Sequence, residues 1–203
     1  MRGWSREKAA AYASGRKHSR ADETVAALIR IEKRILELGC GPAVAARRIH
    51  PELMVCTDVT EAFLPVARVN APASTVLCAD ATAIPFKNGS FDTVLAMAVL
   101  HHLEMDDLRS ALEESIRVLV PRGRFMLLED WAFTDPSPFE QRALEVRFRN
   151  GNNEFHRSFS EWDRVFQDSG FVVLERRWPH RPFHDLGEGG SVRMMAALYG
   201  KEQ

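Results

Sequence analysis

Short apolar runs alternate with runs of helical spacing from about residue 34 onward, and this alternation constrains the fold more than any other feature of the chain. Stretches with the spacing of helices, 42–49 and 61–70, separate the first apolar runs. Strands joined through helices need crossover connections, which give a parallel sheet with helices packed on its faces. The sequence therefore predicts an α/β fold whose first strands are RILELG (34–39), LMVCTD (53–58) and STVLCA (74–79).

The second half of the chain predicts four more strands. FDTVLAMAVL is apolar on both alternating faces, apart from Asp92 and Thr93, which is typical of a central strand that is covered on both sides. One helix capped by Asp106 follows it, and a later helix is capped by Ser160. The strands predicted in this half span 91–100, 124–130, 171–178 and 191–199.

Length and turn residues indicate a single domain over 1–203. Residues 132–158 hold two prolines and the turn-forming run Asn150 to Asn153, with a short helix predicted over 138–149. A loop of this length inside a domain is usually functional, so we interpret 132–158 as an insertion over the edge of the sheet.

Charge and cysteine content exclude several classes of function. The chain has 27 Lys and Arg against 28 Asp and Glu, so no net field attracts it to nucleic acid or to an anionic membrane. No apolar run approaches the roughly 20 residues of a membrane span. Its three cysteines have no metal-ligand spacing and cannot all pair, which indicates a reducing compartment. We therefore expect a cytoplasmic protein without a metal site.

The strongest local motif is ILELGCGPAVAARRI, residues 35 to 49, in which a buried strand runs into a turn of small residues and a helix predicted to open at Pro42. Gly39, Gly41 and Ala43 let the backbone pass close to a ligand, and free N–H groups favour an electronegative one. A nucleoside ligand is predicted. The dinucleotide fingerprint requires a small residue where Val44 stands, which disfavours a nicotinamide or flavin cofactor.

An acid two residues before the first glycine discriminates between the remaining interpretations of this motif. Glu37 would repel a pyrophosphate, whereas a carboxylate attracts an ammonium directly or through water. The pattern Glu-x-Gly-x-Gly-x-small resembles that of the class I S-adenosylmethionine-dependent methyltransferases. The alternative is a turn that merely packs a helix on a strand, with Glu37 solvated.

Two further acids end the next two strands. Asp58 lies 17 residues beyond Gly41, near the offset of about 20 at which an acid accepts the ribose hydroxyls, although it could instead start a helix. The resemblance implies that Asp80 accepts the adenine amino group and that the Ala81 N–H reaches a ring nitrogen. Ile84-Pro85-Phe86 and Ser90-Phe91-Asp92 are similar to the type 11 branch, which includes ubiquinone- and menaquinone-type methyltransferases, and there Asp92 is structural.

The resemblance covers residues 30 to 131 well and 159 to 171 weakly, and it implies a Rossmann-like seven-stranded sheet, mostly parallel with an antiparallel last strand. It also implies that residues 1–25 form a lid, in which Tyr12 or Arg16 contacts the cofactor. The cofactor would be S-adenosyl-L-methionine, with S-adenosyl-L-homocysteine as the product. The cofactor-binding residues implied are Tyr12, Glu37, Gly39, Cys40, Gly41, Asp58, Val59, Asp80, Ala81 and Met97.

Methyl transfer from a sulfonium is an in-line displacement, so the protein mainly orients the acceptor and excludes water. A base to take the acceptor's proton helps by roughly 10² to 10⁴. His101 and His102 follow the fourth strand and are the candidate catalytic residues, although paired histidines here can equally be a packing feature. Trp131 is a candidate wall of the acceptor pocket, and His156 and Arg157 could reach over it.

We therefore expect methylation of a small molecule by a monomer or homodimer. The sequence after the fourth strand, MAVLH, lacks the Asn/Asp-Pro-Pro-aromatic run of nucleic-acid amino methyltransferases, so DNA is disfavoured. Two alternatives stay open. One is a protein or RNA methyltransferase, since residues 141 to 181 hold eight arginines against six acids. The other is a non-catalytic S-adenosylmethionine-binding subunit.

Overall fold

The structure, a computed structural model, describes residues 5–15, 33–47, 49–130, 155, 157, 159–177, 184–185, 191–192 and 194–201. The strands are β1 (Arg34–Leu38), β2 (Leu53–Asp58), β3 (Thr75–Cys78), β4 (Phe91–Met97), β5 (Leu119–Asp130), β6 (Phe171–Arg177), β7 (His184–Asp185), β8 (Ser191–Val192) and β9 (Met194–Lys201). The α-helices are α1 (Arg6–Gly15), α2 (Leu64–Asn70), α3 (Met105–Val118) and α4 (Phe159–Asp168). Short 3-10 helices span Ala45–Arg47, Glu61–Phe63 and Leu100–His102.

Within the described residues, seven strands form one sheet in the order β3-β2-β1-β4-β5-β9-β6. β4 lies in the middle and pairs in parallel with β1 and β5, while β9 runs antiparallel to β5 and β6. The predicted central strand and the antiparallel last strand are confirmed. The carboxyl ends of β1 to β5 therefore share one edge of the sheet, where open α/β sheets bind ligands.

Both faces of the sheet are covered, which explains the continuous apolar runs. Leu36 and Val94 belong to the hydrophobic cluster on one face, and their neighbours Ile35 and Leu95 belong to the cluster on the other. Each of these side chains is fully buried. Truncating such a leucine to alanine typically costs about 2 to 5 kcal/mol, so the two clusters hold the strand ends in place.

The helix predicted to open at Pro42 is wrong. Residues 41 to 44 form a turn, and a 3-10 helix over Ala45–Arg47 follows. Gly41 and Ala43 have φ values of 51° and 53°, in the left-handed region, and two such residues cannot start a right-handed helix. The first turn therefore presents a bend of backbone rather than the end of a helix.

Other predicted boundaries shift by a few residues. The N-cap of α3 is Glu104 and Asp106 lies in its first turn, so the predicted cap at Asp106 is wrong. Ser160 likewise lies inside α4, which starts one residue earlier. Strand β5 follows α3 directly at Leu119, ahead of the predicted start. Pro65 lies in the first turn of α2, which begins only after the 3-10 turn Glu61–Phe63.

An ion pair at the opposite edge of the sheet explains Asp92. Its Oδ1 accepts a hydrogen bond from Arg34 Nη2 at 3.0 Å, and its Oδ2 accepts the Arg34 backbone N–H at 2.9 Å. This ion pair joins the starts of β1 and β4, far from their carboxyl ends. Asp92 is therefore a structural residue. None of the helices in the described part of the chain combines the length and the apolar character that a membrane span requires.

Candidate functional site

The turn after β1 leaves open space on one side. Gly39 has a φ of 58°, and a Cβ there would lie 2.1 Å from Val99 Cγ2, so the turn is packed against the segment that follows β4. Gly41 has a φ of 51°, and apart from Gly41 and its two neighbours in the chain no described residue has an atom within 4 Å of where its Cβ would stand. Glycine at Gly41 is therefore not required by internal packing, and a ligand can approach its backbone.

Asp58 joins the end of β2 to this turn. Its Oδ2 accepts the Gly41 N–H at 2.8 Å and its Oδ1 accepts the Thr60 N–H at 2.7 Å. The side chain is 4% exposed, and burial raises the pKa of Asp58, although these backbone hydrogen bonds oppose the shift. An ionised carboxylate can accept about four hydrogen bonds, so both oxygens retain capacity for ligand hydroxyls.

Glu37 is a buried residue near the carboxyl end of β1. It is 1% exposed, and its Oε2 accepts a weak hydrogen bond from Cys56 Sγ at 3.6 Å. The alternative of a solvated Glu37 is therefore wrong, while its contact with an ammonium stays a prediction. Cys40 is buried as well, and its backbone N–H donates to the carbonyl of Thr57 at 2.9 Å.

Asp80 is exposed just after β3. Its Oδ1 accepts both the N–H and the hydroxyl of Thr82 at 2.9 Å, which folds the following residues into a turn. Its Oδ2 has no hydrogen-bond partner among the described residues. Ala81 is partly buried against the hydrophobic cluster on this face, so the backbone beside Asp80 is held close to the sheet.

The remaining predicted cofactor residues surround the same strand ends. Val59 is 45% exposed next to Asp58, and Met97 is buried at the end of β4. Tyr12 on α1 is exposed, with its ring centroid 5.9 Å from that of Phe63 in the 3-10 turn after β2. Helix α1 thus lies beside the end of β2. Arg16, Trp131 and His156 lie outside the described residues, as do most of the predicted lid and insertion.

His101 is paired with an acid that sequence reasoning missed. Its Nδ1 lies 2.5 Å from Oε2 of Glu129, and the two side chains are 5% and 0% exposed. The other oxygen, Oε1, accepts the N–H groups of Val99 at 3.2 Å and Leu100 at 2.8 Å. The available signal was an acid at a core-facing position of an apolar strand, two residues after Leu127. The ring of His102, which is partly exposed, lies 4.2 Å from that of His101.

Arg157 fixes the described end of the predicted insertion against this pair. It is 7% exposed, its Nη2 donates to the Leu103 carbonyl at 2.9 Å, and its guanidinium lies 5.0 Å from the Trp162 ring. Burial lowers the pKa of Arg157, and the negative charge of Glu129 opposes that shift. The N–H of Phe155 also donates to the His101 carbonyl at 2.6 Å. Arg157 is therefore buried between the Leu103 carbonyl and the Trp162 ring, and its contact with a bound acceptor stays a prediction.

Over the described part of the chain, no cluster of His, Cys, Asp or Glu could hold a metal ion. The arrangement instead offers an open backbone turn, a carboxylate with spare acceptor capacity beside it, a second exposed carboxylate on the next strand and a buried acid and histidine pair. These groups suit a ligand with amino, hydroxyl and aromatic base groups.

Comparison with known proteins agrees with this geometry. A family model described as "Methyltransferase domain" matches residues 36–127. The uncharacterized methyltransferase sll0829 of Synechocystis is 30% identical over 176 residues, covering 83% of this chain and 77% of the relative. The uncharacterized methyltransferase YcgJ of Bacillus subtilis is 31% identical over 157 residues, covering 73% of this chain and 61% of YcgJ.

Relatives with a named acceptor match shorter stretches. A demethylmenaquinone methyltransferase of Clavibacter sepedonicus is 33% identical over 119 residues, covering 56% of this chain and 47% of the relative. A tRNA (carboxymethyluridine(34)-5-O)-methyltransferase of Arabidopsis thaliana is 31% identical over 110 residues, covering 48% of this chain and 24% of the relative. The chain thus spans about a quarter to a half of these relatives.

Solved structures match over nearly the whole chain. The crystal structure of YcgJ superposes with a TM-score of 0.75 at 19% identity, covering 92% of this chain and 100% of YcgJ. A putative methyltransferase in complex with the Haloferax volcanii Trm112 methyltransferase activator superposes with a TM-score of 0.77 at 18% identity, covering 100% of both chains. At these identities the likeness concerns the fold.

Proposed function

The chain belongs to the S-adenosylmethionine-dependent methyltransferases of the type 11 branch, and from that premise we propose that it transfers the methyl group of S-adenosylmethionine to a small-molecule acceptor. The observation that carries the proposal is the open turn at Gly41, whose N–H is held by Asp58. Asp80 stands at the end of the adjacent strand, so the two acids can address different parts of one nucleoside.

The residues present fit this cofactor. The space over Gly41 admits a group in contact with the backbone, and Asp58 retains acceptor capacity for the two ribose hydroxyls. The free Oδ2 of Asp80 would accept the adenine amino group, with the Ala81 N–H beside it. Glu37, Gly39 and Cys40 would surround the methionine part. We propose that Val59, Met97 and Tyr12 also contact the cofactor.

When bound, the cofactor supplies a methyl group made electrophilic by its sulfonium. The chain contributes orientation and exclusion of water. Arg157 Nη1 donates to the Phe155 carbonyl and the Phe155 N–H donates to the His101 carbonyl, so these residues are bonded to the segment that follows β4. Orientation of the reacting groups lowers the barrier of an in-line displacement.

The buried pair with Glu129 orients the His101 ring in this proposal. Glu129 accepts two backbone N–H groups on Oε1, and its Oε2 lies 2.5 Å from Nδ1 of His101, where it would accept the Nδ1 proton. In this proposal the His101 imidazole takes the proton from the acceptor. His102, less buried, is the second candidate for that role.

A small acceptor is favoured over RNA by charge. The chain carries a net charge of −1, and the excess of two arginines over acids in residues 141 to 181 is modest for a phosphate-binding surface. The Clavibacter relative is named for a quinone-type acceptor, which supports the same class. The cytoplasmic location and the monomer or homodimer state remain predictions from the sequence.

The cofactor can be tested by thermal shift of the full chain with S-adenosylhomocysteine, NAD and ATP side by side. We expect stabilisation by S-adenosylhomocysteine alone, abolished in Asp58→Ala and retained in the surface control Asp106→Ala. Stabilisation by NAD instead would contradict the proposal.

The acceptor can be tested with a panel of quinols, phenols and amines beside total tRNA, at low and high salt. Turnover of a small acceptor that does not depend on salt supports the proposal. Turnover of tRNA alone that falls steeply with salt favours the RNA alternative, and tight cofactor binding with no turnover favours a non-catalytic subunit.

A further inference from the structure

The segment between β3 and β4 carries both residues proposed to hold adenine, yet none of it is helix or strand. We refer to residues 79–90 as the adenine loop; all of them are described. A loop that recognises a base through one side chain and one backbone N–H must hold both groups steady relative to the sheet. The adenine loop therefore needs contacts with the rest of the fold that fix its position.

An ion pair on α3 makes the main contacts. Arg117 Nη2 donates to the carbonyl of Ile84 at 2.8 Å, and its Nη1 donates to the carbonyl of Phe86 at 2.6 Å. Oε2 of Glu114 accepts the Ile84 N–H at 2.7 Å. Both backbone groups of Ile84 are therefore bonded to the same pair of side chains.

The pair is itself rigid. Arg117 Nε donates to Glu114 Oε1 and its Nη2 to Oε2, each at 2.7 Å, which is the bidentate geometry of a strong arginine–carboxylate bond. The Arg117 guanidinium lowers the pKa of Glu114, so the acid stays ionised. The Arg117 backbone carbonyl also accepts the Gly89 N–H at 3.1 Å. A lysine at this position could not make the paired contacts.

The fixed point is close to the recognition groups. The Asp80 carbonyl accepts the Ala83 N–H at 3.1 Å, and Thr82 bonds the Asp80 side chain, so residues 80 to 83 form one tight turn. This turn leads directly into Ile84, whose side chain is buried in the core. The position of Ile84 therefore sets where Asp80 and Ala81 stand.

We propose that Glu114 and Arg117 are positioning residues for recognition of the cofactor's adenine, acting through the backbone of Ile84 and Phe86. This rests on the proposed function, in which Asp80 and Ala81 contact the base. Neither residue touches the cofactor. Their effect is on base selectivity, because a displaced Asp80 still leaves the ribose and methionine contacts intact.

The test measures binding of S-adenosylhomocysteine and of S-inosylhomocysteine, in which an oxo group replaces the adenine amino group, by calorimetry on the full chain. In Arg117→Lys and Glu114→Gln we expect affinity for the adenosyl compound to fall about tenfold, with a smaller loss for the inosyl compound. The preference for adenine therefore falls. The control Arg109→Lys alters an exposed ion pair of the same helix that does not contact the loop, and it should keep the wild-type preference.

A merely structural role would lower the melting temperature without changing the preference, and that result overturns the proposal. The variant Asp80→Ala distinguishes a failure of the positioning role from a failure of the adenine assignment. If Asp80→Ala loses the preference while Arg117→Lys and Glu114→Gln keep it, the positioning role is wrong and the adenine assignment stands. If Asp80→Ala keeps the preference, the adenine assignment itself fails. If Arg117→Lys does not fold, Glu114→Gln tests the positioning role by itself, because it preserves the side-chain volume.

Discussion

Nδ1 of His101 lies 2.5 Å from Oε2 of Glu129, and both side chains are buried where β4 and β5 end. The same carboxylate accepts the N–H groups of Val99 and Leu100, so it orders the segment that packs against Gly39. One buried acid therefore links the candidate base to the turn on which the cofactor is proposed to bind.

Replacement of this acid should be costly for folding. We expect Glu129→Ala to lower the free energy of unfolding by about 3 to 5 kcal/mol, because it leaves buried backbone donors and a histidine without their acceptor. Urea denaturation followed by circular dichroism measures the change. Glu113→Ala, an exposed position of α3, is the control and should cost less than about 0.5 kcal/mol. Equal losses in the two variants would contradict the role of Glu129.

The histidines should affect turnover and not cofactor binding. We expect His101→Ala to reduce turnover by about 10² to 10⁴ while the affinity for S-adenosylhomocysteine stays within about twofold. His102→Ala should have a smaller effect on turnover. Rates with the acceptor found by screening, measured from pH 5 to 9, check this. A His101→Ala enzyme with wild-type rates throughout would show that His101 only packs.

Cofactor binding should depend on pH through Asp58. The pKa of an ordinary aspartate is about 3.9. Burial raises the pKa of Asp58, so on acidification its carboxylate is protonated at a higher pH than an ordinary aspartate. Ribose hydroxyls donate to the ionised form, so affinity for S-adenosylhomocysteine should weaken as pH falls through that raised pKa. Calorimetry between pH 4 and 7 measures it, and Asp58→Asn should give a weak and flat profile.

The contribution of Asp58 to the stability of the fold should change with pH in the direction opposite to its effect on cofactor affinity. A carboxyl group whose pKa is raised by folding contributes stability that is fully present below the unfolded pKa and is lost as pH rises through the folded pKa. Without ligand, the wild type should therefore lose stability relative to Asp58→Asn over that interval. Urea titrations at several pH values check it, and the reverse trend would mean that the backbone hydrogen bonds outweigh burial.

The two glycines of the turn should separate folding from binding. Gly39→Ala should cost about 2 to 4 kcal/mol, because its Cβ would overlap Val99 as well as adopt a left-handed φ. Gly41→Ala meets no such overlap and should cost about 1 kcal/mol, yet it should weaken S-adenosylhomocysteine binding at least tenfold by filling the open space. Denaturation and calorimetry measure both. Full-strength binding by Gly41→Ala would remove the turn from the proposed site.

Periodicity and turn chemistry are local properties, and they predicted the parts of the fold that depend on neighbours in the chain. The apolar run containing Val94 and Leu95 indicated a central strand, because only a strand buried on both faces tolerates apolar residues at every position. The ends of β1, β2 and β3 placed Glu37, Asp58 and Asp80 at one edge, since parallel strands share their carboxyl ends. Ala43 was missed as a helix breaker because alanine rarely adopts a positive φ.

Contacts between distant residues could not be read in the same way. His101 meets Glu129 and Ile84 meets Arg117 only because the sheet register and the docking of α3 bring together residues about 30 positions apart. The burial of Glu37 likewise depends on the packing of the sheet, where Cys56 of the neighbouring strand contacts it. A carboxylate's partners and pKa follow from the groups and the solvent around it after folding, and amino-acid order specifies these only through the packed tertiary structure.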